Sequence, residues 1–268
     1  MPVSAPSGGE HRAGGSPANR SLERGVELLR AFRQGSESLG NGELAERTGL
    51  PKSTVSRLTQ TLVGLGLLQN DVALRAYRLA PAVLSLAHAM RAGSRVLTVA
   101  GPLMRKLAER ERINVGLAAP DRDEMIYLES IRYARRVAFR NVVSGQRVPM
   151  ELTSLGRAYL WTLPAPKRRE LEAVFERRRT RTWTTLRTEI DAALVSIDSS
   201  GFCAASWQPE IIAVAAPLIT ADMAYAVNVS VLTTDPFDRV VQQLAPKLLT
   251  LRDDIRIALE RANEAVSR

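Results

Sequence analysis

The chain has 268 residues, 45% of them hydrophobic, which suits one large domain or two ordinary ones with packed cores and excludes disorder throughout. Its 37 basic residues exceed the 28 acidic ones, giving a formal charge of +9 and a pI near 10.4, a balance that favours a polyanionic partner such as nucleic acid. Only Lys52, Lys106, Lys167 and Lys247 are lysines, so a GC-rich coding sequence accounts for the arginine excess as well as phosphate recognition does.

Residues 1–19 are rich in Gly, Ser, Pro and Ala and offer nothing large to anchor in a core, which predicts a disordered arm. Arg12 and Arg20 are still able to touch phosphates there. From Ser21, the spacing of Leu22, Val26, Leu28, Leu29 and Phe32 predicts a helix, with Ser21 as N-cap and Gly35 as the stop. Asn41 is placed to cap a second helix that turns Leu44 and Ala45 inward and ends just before Gly49; Pro51 suits the first turn of a third, running to about Leu65 and stopped by Gly66. "LLQND" and "AYRLA" then read as two short strands around Asp71 to Arg75, a hairpin wing on a three-helix bundle. Pro81 and Gly93 bound a linker helix, and another helix runs from about Ser94 to Arg110. The expected division is an arm over 1–19, a DNA-binding domain over 20–80, a linker over 81–95 and a second domain over 96–268.

From Ile113 the texture turns to strands: "INVGLAA", the polar turn "PDRDE", "MIYLESI" and "RVAFRNV" form a meander. "TSLGRAYLWTL", "APKRRELEAVFERR" and "TTLRTEIDAALVSIDSSG" have helical periodicity, after which "GFCAAS", "IIAVAAPLI" and "MAYAVNVSVL" return to strand character. A closing amphipathic segment holds Pro246, which predicts a bent or split helix. Three strands, helices, three strands and a helix make an α+β domain.

Two helices that cross closely need a small residue at the crossing, a residue tolerant of positive φ in the turn and apolar anchors under the second helix. Ala45, Gly49, Val55 and Leu58 stand four, six and three residues apart, the spacing of a helix-turn-helix. The recognition helix of such a unit enters the major groove by its first turns, where Lys52, Ser53, Thr54, Ser56 and Arg57 are gathered. Ser and Thr bond phosphates or base edges, and Arg57 is able to take a guanine in two bonds. First-turn capping is the other reading of Ser53, and ordinary solvation the other reading of Arg75 and Arg78, the candidate backbone contacts of the wing.

"LAERTGLPKSTVSRLTQTLVGLGLL" followed by "YRLAPAVLSLA" resembles the winged helix-turn-helix of IclR-type bacterial transcriptional regulators. Downstream, "RVPMELTSLGRAYLW" is similar to that family's loop and helix beside the effector pocket, and "EIIAVAAPLI" with "AVNVSVL" resembles its two pocket-lining strands, so that the likeness covers about Leu22 to Ala262. The resemblance implies a winged helix-turn-helix plus a GAF-like, profilin-like antiparallel-sheet domain that binds a small organic or aromatic acid, in a dimer or dimer of dimers on a double-stranded operator, most often as a repressor. It implies a pocket lined by Val137, Arg140, Val148, Thr153, Ser154, Ile211, Ala213, Asn228 and Ser230, with Arg140 and the N–H groups near Ser154 on a carboxylate. Ala213 stands where some relatives carry a polar or sulfur side chain, and Glu210 is the nearest match to an acidic residue often found before that strand.

An enzyme and a DNA-binding protein without a sensing role are the competing readings. Cys203, the only cysteine, excludes an internal disulfide, and with only His11 and His88 beside it no Cys/His metal set can be assembled. Neither histidine is placed to activate Cys203, which reads better as a small buried hydrophobe than as a nucleophile. The acids of "DRDE", Asp121 to Glu124, read as a hairpin turn, and "ERRRTR", Glu176 to Arg181, as a solvated face. No catalytic residue, metal or cofactor is expected. The N-terminus lacks an apolar signal core and no run of about 18 apolar residues occurs, which predicts a cytoplasmic protein that does not span a membrane.

Overall fold

In a computed structural model, which describes residues 19–133 and 143–266, the first helix, α1 (Arg20–Arg30), is capped by Asn19 and not by Ser21. The Asn19 side-chain oxygen accepts from the N–H groups of Ser21 at 3.1 Å and Leu22 at 3.2 Å, so the expected cap sits inside the first turn. The helix closes at Ala31, well before Gly35, whose φ of 79° turns the chain afterwards. Helix α2 (Asn41–Thr48) includes Asn41 as its first residue; Gly40 holds the cap position, and the Glu43 carboxylate accepts its N–H at 2.9 Å. Gly49, at φ 68°, makes the turn into α3 (Lys52–Gly64). The wing pairs β1 (Leu68–Asp71) with β2 (Ala76–Leu79) antiparallel, and Leu39 joins it by exchanging hydrogen bonds with Tyr77 at 3.0 and 2.9 Å.

Leu28, Phe32, Leu39, Leu44, Val55, Leu62 and Leu68 form the core of this first unit, which ends at Ala87. Leu22 and Val26 share the helical spacing of α1 but remain 66% and 39% exposed. The buried side of the helix is Gly25 and Leu28, continued by Phe32 just beyond its end, and Leu22 and Val26 stand instead on a groove with Leu58, Leu62 and Leu65.

The unit boundary falls within α4 (Pro81–Ala92), between Ala87 and His88. The second unit continues with α5 (Arg95–Glu111), β3 (Asn114–Asp121), β4 (Glu124–Ile131) and β5 (Arg147–Pro149). Then come α6 (Ser154–Trp161), α7 (Ala165–Arg178), α8 (Trp183–Ser200), β6 (Cys203–Gln208), β7 (Ile211–Ile219), β8 (Ala224–Leu232) and α9 (Phe237–Val266). The third strand expected at "RVAFRNV" lies outside the described residues. Beside β4 stands the short strand β5, and the order of the described strands is β5-β4-β3-β8-β7-β6, antiparallel throughout.

Both faces of this sheet are covered, which is why β7 reads as an apolar run rather than an alternation. Val115, Leu117, Ile212, Val214, Val227 and Val229 pack with α5 and α9, whereas Ala118, Met125, Tyr127, Ala215 and Ala226 pack with α6 and α8. Helix α9 is not split at Pro246. Interrupting the ladder costs about 3 kcal/mol, whereas burying a Leu or Ile side chain yields about 1.5–3 kcal/mol. Val240, Leu244 and Ala245 before the proline, and Leu248, Leu251, Ile255 and Leu259 on its own side or beyond, are all buried and hold the helix in line.

Candidate functional site

The first unit presents one chemically distinctive face. Val55, Thr59 and Leu62 turn inward from α3, and the Thr59 hydroxyl spends itself on the Val55 and Ser56 carbonyls at 3.0 Å each. Lys52, Ser53 and Arg57 point to solvent, with Thr54 and Ser56 half-buried between the two faces. Donors are therefore collected on the first two turns of a helix whose back is fixed, an arrangement suited to a groove of nucleic acid. Arg20 is exposed at the start of α1 and Arg75 is exposed in the wing turn at φ 49°. Arg78 is ion-paired to Asp71 across the hairpin, so its charge is shared within the wing.

In the second unit a cavity of about 310 Å³ opens on the α6 side of the sheet, at the end where β3 and β7 begin and β4 and β8 finish. Val148, Ile211, Ala213, Asn228 and Ser230 line it, five of the positions indicated by the sequence. Register explains the grouping: Asn114 and Gly116 of β3 stand opposite Ser230 and Asn228 of β8, and Ala213 of β7 is opposite Ser230 on the other side. Thr153 and Ser154 are buried at the start of α6 but do not line the cavity. Thr153 caps the helix by accepting from Gly156 N–H at 3.1 Å and donates to the Pro149 carbonyl at 2.8 Å; the Ser154 carbonyl accepts from Cys203 Sγ at 3.4 Å. Val137 and Arg140 lie outside the described residues.

Arg112, Asn114, Tyr127, Arg132, Trp207 and Gln208 also line the cavity and escaped sequence reasoning. Six buried side-chain polar atoms lack a partner among the described residues, and four belong here: Asn114 Oδ1, Asn228 Oδ1, Arg132 Nε and Gln208 Nε2. Unpaired buried polar atoms are costly and scarce, so their concentration at one cavity makes it the candidate ligand site of this unit. Two are donors and two are acceptors. Burial pushes the Tyr127 phenol up to about 12, against the opposing pull of the Asn228 amide and Arg132.

Away from the cavity, by the β3–β4 turn, charged residues pair with one another. Glu151 is fully buried and accepts from Arg179 Nε at 3.1 Å, with Arg178 at 3.7 Å. Part of the arginine run therefore turns inward, where its sequence suggests a solvated face. The missed signal is the acid in "MELTSLG", which looks like ordinary loop polarity. Arg178 also pairs with Asp123, and Arg147 with Asp121 and Glu124, so the "DRDE" acids hold a hairpin turn together. Burial raises the Cys203 thiol to about 12, which leaves it in the un-ionised, weakly nucleophilic form.

The IclR helix-turn-helix domain family matches residues 21–72, and the family described as bacterial transcriptional regulator IclR C-terminal matches residues 88–256. Among curated proteins, the chain is 36% identical over 176 residues to the HTH-type transcriptional regulator TsaQ1/TsaQ2 of Comamonas testosteroni, covering 65% of this chain and 62% of that one. Across eight curated relatives the chain spans 51–62% of their own length. An IclR family transcriptional regulator from Brucella abortus has the same architecture at a TM-score of 0.82 and 33% identity, over 90% of this chain and 93% of that one. The fold is shared at a TM-score of 0.68 and 21% identity by an IclR homolog from Microbacterium hydrocarbonoxydans complexed with 4-hydroxybenzoate, over 90% of this chain and 99% of the other. The chain belongs to the IclR family of bacterial transcriptional regulators.

Proposed function

We propose that this protein is a DNA-binding transcription regulator, a repressor, whose grip on its operator is set by a small organic acid held in the sheet cavity. Residues 20–80 dock on DNA, with Lys52, Ser53, Thr54, Ser56 and Arg57 in the major groove and Arg20, Arg75 and Arg78 on the backbone. Residues 81–95 link this part to residues 96–268, which bind the acid and hold two copies together. A dimer presents two recognition helices to a pseudo-palindromic operator and doubles the phosphate contacts of one small wing. The protein acts in the cytoplasm, and no described helix is long and apolar enough to cross a membrane.

The observation that carries the effector reading is the set of unpaired polar atoms in the cavity. Arg132 Nε and Gln208 Nε2 supply the donors a carboxylate needs, the role the family resemblance gives to Arg140 and the N–H groups near Ser154. Val148, Ile211 and Ala213 provide the apolar walls. An acid that binds two arrangements of the dimer unequally shifts operator affinity by the ratio of those affinities, about 1–3 kcal/mol in typical cases.

The test uses the full chain and a duplex enriched from random sequence by that chain. Operator affinity is measured by fluorescence anisotropy with and without a panel of carboxylic acids, 4-hydroxybenzoate among them. At least one acid is expected to change affinity by about 5- to 150-fold, and by reciprocity the duplex must change that acid's own affinity by the same factor. Arg132→Met should leave operator affinity intact and weaken the acid by about 10- to 100-fold, the worth of a hydrogen bond to a charged group. If no acid binds while the duplex does, the sensing claim fails; if no duplex is enriched, the DNA claim fails.

A further inference from the structure

Resting on the effector reading, we propose that the cavity is built for an acid that also carries a hydroxyl group, received jointly by the side chains of Asn228 and Tyr127. Asn228 is 4% exposed and Tyr127 is 9% exposed, both line the cavity, and the Asn228 amide donates to the Tyr127 hydroxyl at 3.4 Å. That bond leaves Asn228 Oδ1 without a partner among the described residues and the phenolic O–H proton uncommitted. Turning the amide over changes the labels and not the sum. The phenol would then donate to Oδ1, leaving the amide N–H as the spare donor and the phenol oxygen as the spare acceptor. Either arrangement offers at least one donor and one acceptor side by side.

A hydroxyl meets both demands at once, since it donates one hydrogen bond while accepting another. A ketone, ether or second carboxylate only accepts, an ammonium only donates, and a C–H does neither. Each of those groups would leave a buried polar atom unmet or trap a water beside it.

The backbone beneath the pair supports the same assignment. Gly116 stands opposite Asn228 in the β3–β8 ladder, and a Cβ there would lie 2.5 Å from both Asn228 Oδ1 and Tyr127 Cε1. Only glycine leaves the amide and the ring room to lean over β3 toward the cavity. With its phenol raised to about 12, Tyr127 keeps its proton throughout the neutral range. The donors for the acid's carboxylate, Arg132 and Gln208, are separate groups on the same lining, so the ligand is two-ended.

The experiment is calorimetric titration of the full chain with the isomeric hydroxybenzoates and hydroxyphenylacetates, each against its unsubstituted parent and its methoxy analogue. At least one hydroxy acid should bind about tenfold more tightly than its parent, and its methoxy analogue should bind no better than the parent. Tyr127→Phe and Asn228→Ala should each cut that preference to about twofold, read as the ratio of the hydroxy acid's affinity to its parent's in the same variant. Equal binding of hydroxy and parent acids overturns the inference and leaves the effector reading standing, as does a preference that survives both substitutions. Failure of every acid to bind overturns both. The unsubstituted chain decides the matter alone if a variant does not fold.

Discussion

Two glycines on helices of the same unit should respond in opposite ways to the same substitution. Gly156 lies in α6, where a Cβ would stand 2.1 Å from Met150 Cα and 2.2 Å from Met150 O, against the roughly 3.5–4.0 Å of ordinary carbon contact. Backbone cannot swing aside as a side-chain tip can, and α6 is fixed by Leu155, Ala158 and Leu160, all buried to within 1%. Opening the gap by more than an ångström costs about 3 kcal/mol or more, offset by about 1 kcal/mol of improved helix propensity. Gly156→Ala should therefore destabilise the second unit by about 2–3 kcal/mol, lowering its melting temperature by about 4–12 °C. Gly101 in α5 has nothing within 4 Å of the same construction, so Gly101→Ala should stabilise by about 0.5–1 kcal/mol. Thermal unfolding of the full chain followed by circular dichroism, with the transition of the second unit resolved, measures both. Shifts of the same sign in the two variants would refute the packing argument and leave only propensity.

Arg57→Ala should weaken binding to an enriched duplex by about 1–3 kcal/mol while barely changing binding to random DNA; equal losses on both would make Arg57 a phosphate contact. Glu129 feels burial, which pushes its carboxyl up, but Arg91, the Ser130 N–H and Ser144 together hold it below its ordinary value of 4.5. A depressed carboxyl contributes stability above its unfolded pKa and loses it as pH falls through the folded one. Arg91→Met should thus cost stability at neutral pH, and the difference should shrink as pH falls through the folded pKa of Glu129 in acid titrations of unfolding; a constant difference would rule out the ion pair as its source. Around Glu151 the two directions of damage should be unequal. Replacing both Arg178 and Arg179 by Ala leaves a fully buried carboxylate poorly compensated, at about 3–5 kcal/mol, whereas Glu151→Gln leaves Arg178 on Asp123 and Arg179 partly exposed to water, at about 1 kcal/mol; equal losses in chemical denaturation would show the network to be superficial.

Local chemistry made much of the first unit legible. Gly49 and Gly66 both take positive φ where helices were expected to stop, and Val55 and Leu62 lie under the donors of α3. The cap of α1 was misplaced because Asn19 and Ser21 are both good caps and compete for the same few N–H groups; their order is set by how the first turn meets the bundle. Leu22 and Val26 show the same limit, since helical spacing identifies a stripe without saying how far along it the neighbours reach. In the second unit most of the described strands and helices followed from periodicity, but the short strand β5 did not, and Asn228 was named through the family resemblance.

What could not be read was which charges are used internally. The family resemblance named Arg140, which lies outside the described residues, whereas Arg112 and Arg132, which line the cavity, carry no local signal that sets them apart from other arginines. The partners of Arg178 and Arg179 are set by the meeting of the end of α7 with the loop before α6, a contact no local pattern encodes. The same reasoning limits the bulk charge. Arg78, Arg147, Arg157, Arg178 and Arg179 each pair with an acid, whereas Lys52 and Arg57 make no ion pair among the described residues. Attraction for a polyanion then depends less on an excess of +9 than on where uncommitted positive charge remains, and on α3 it remains on the exposed face of the helix.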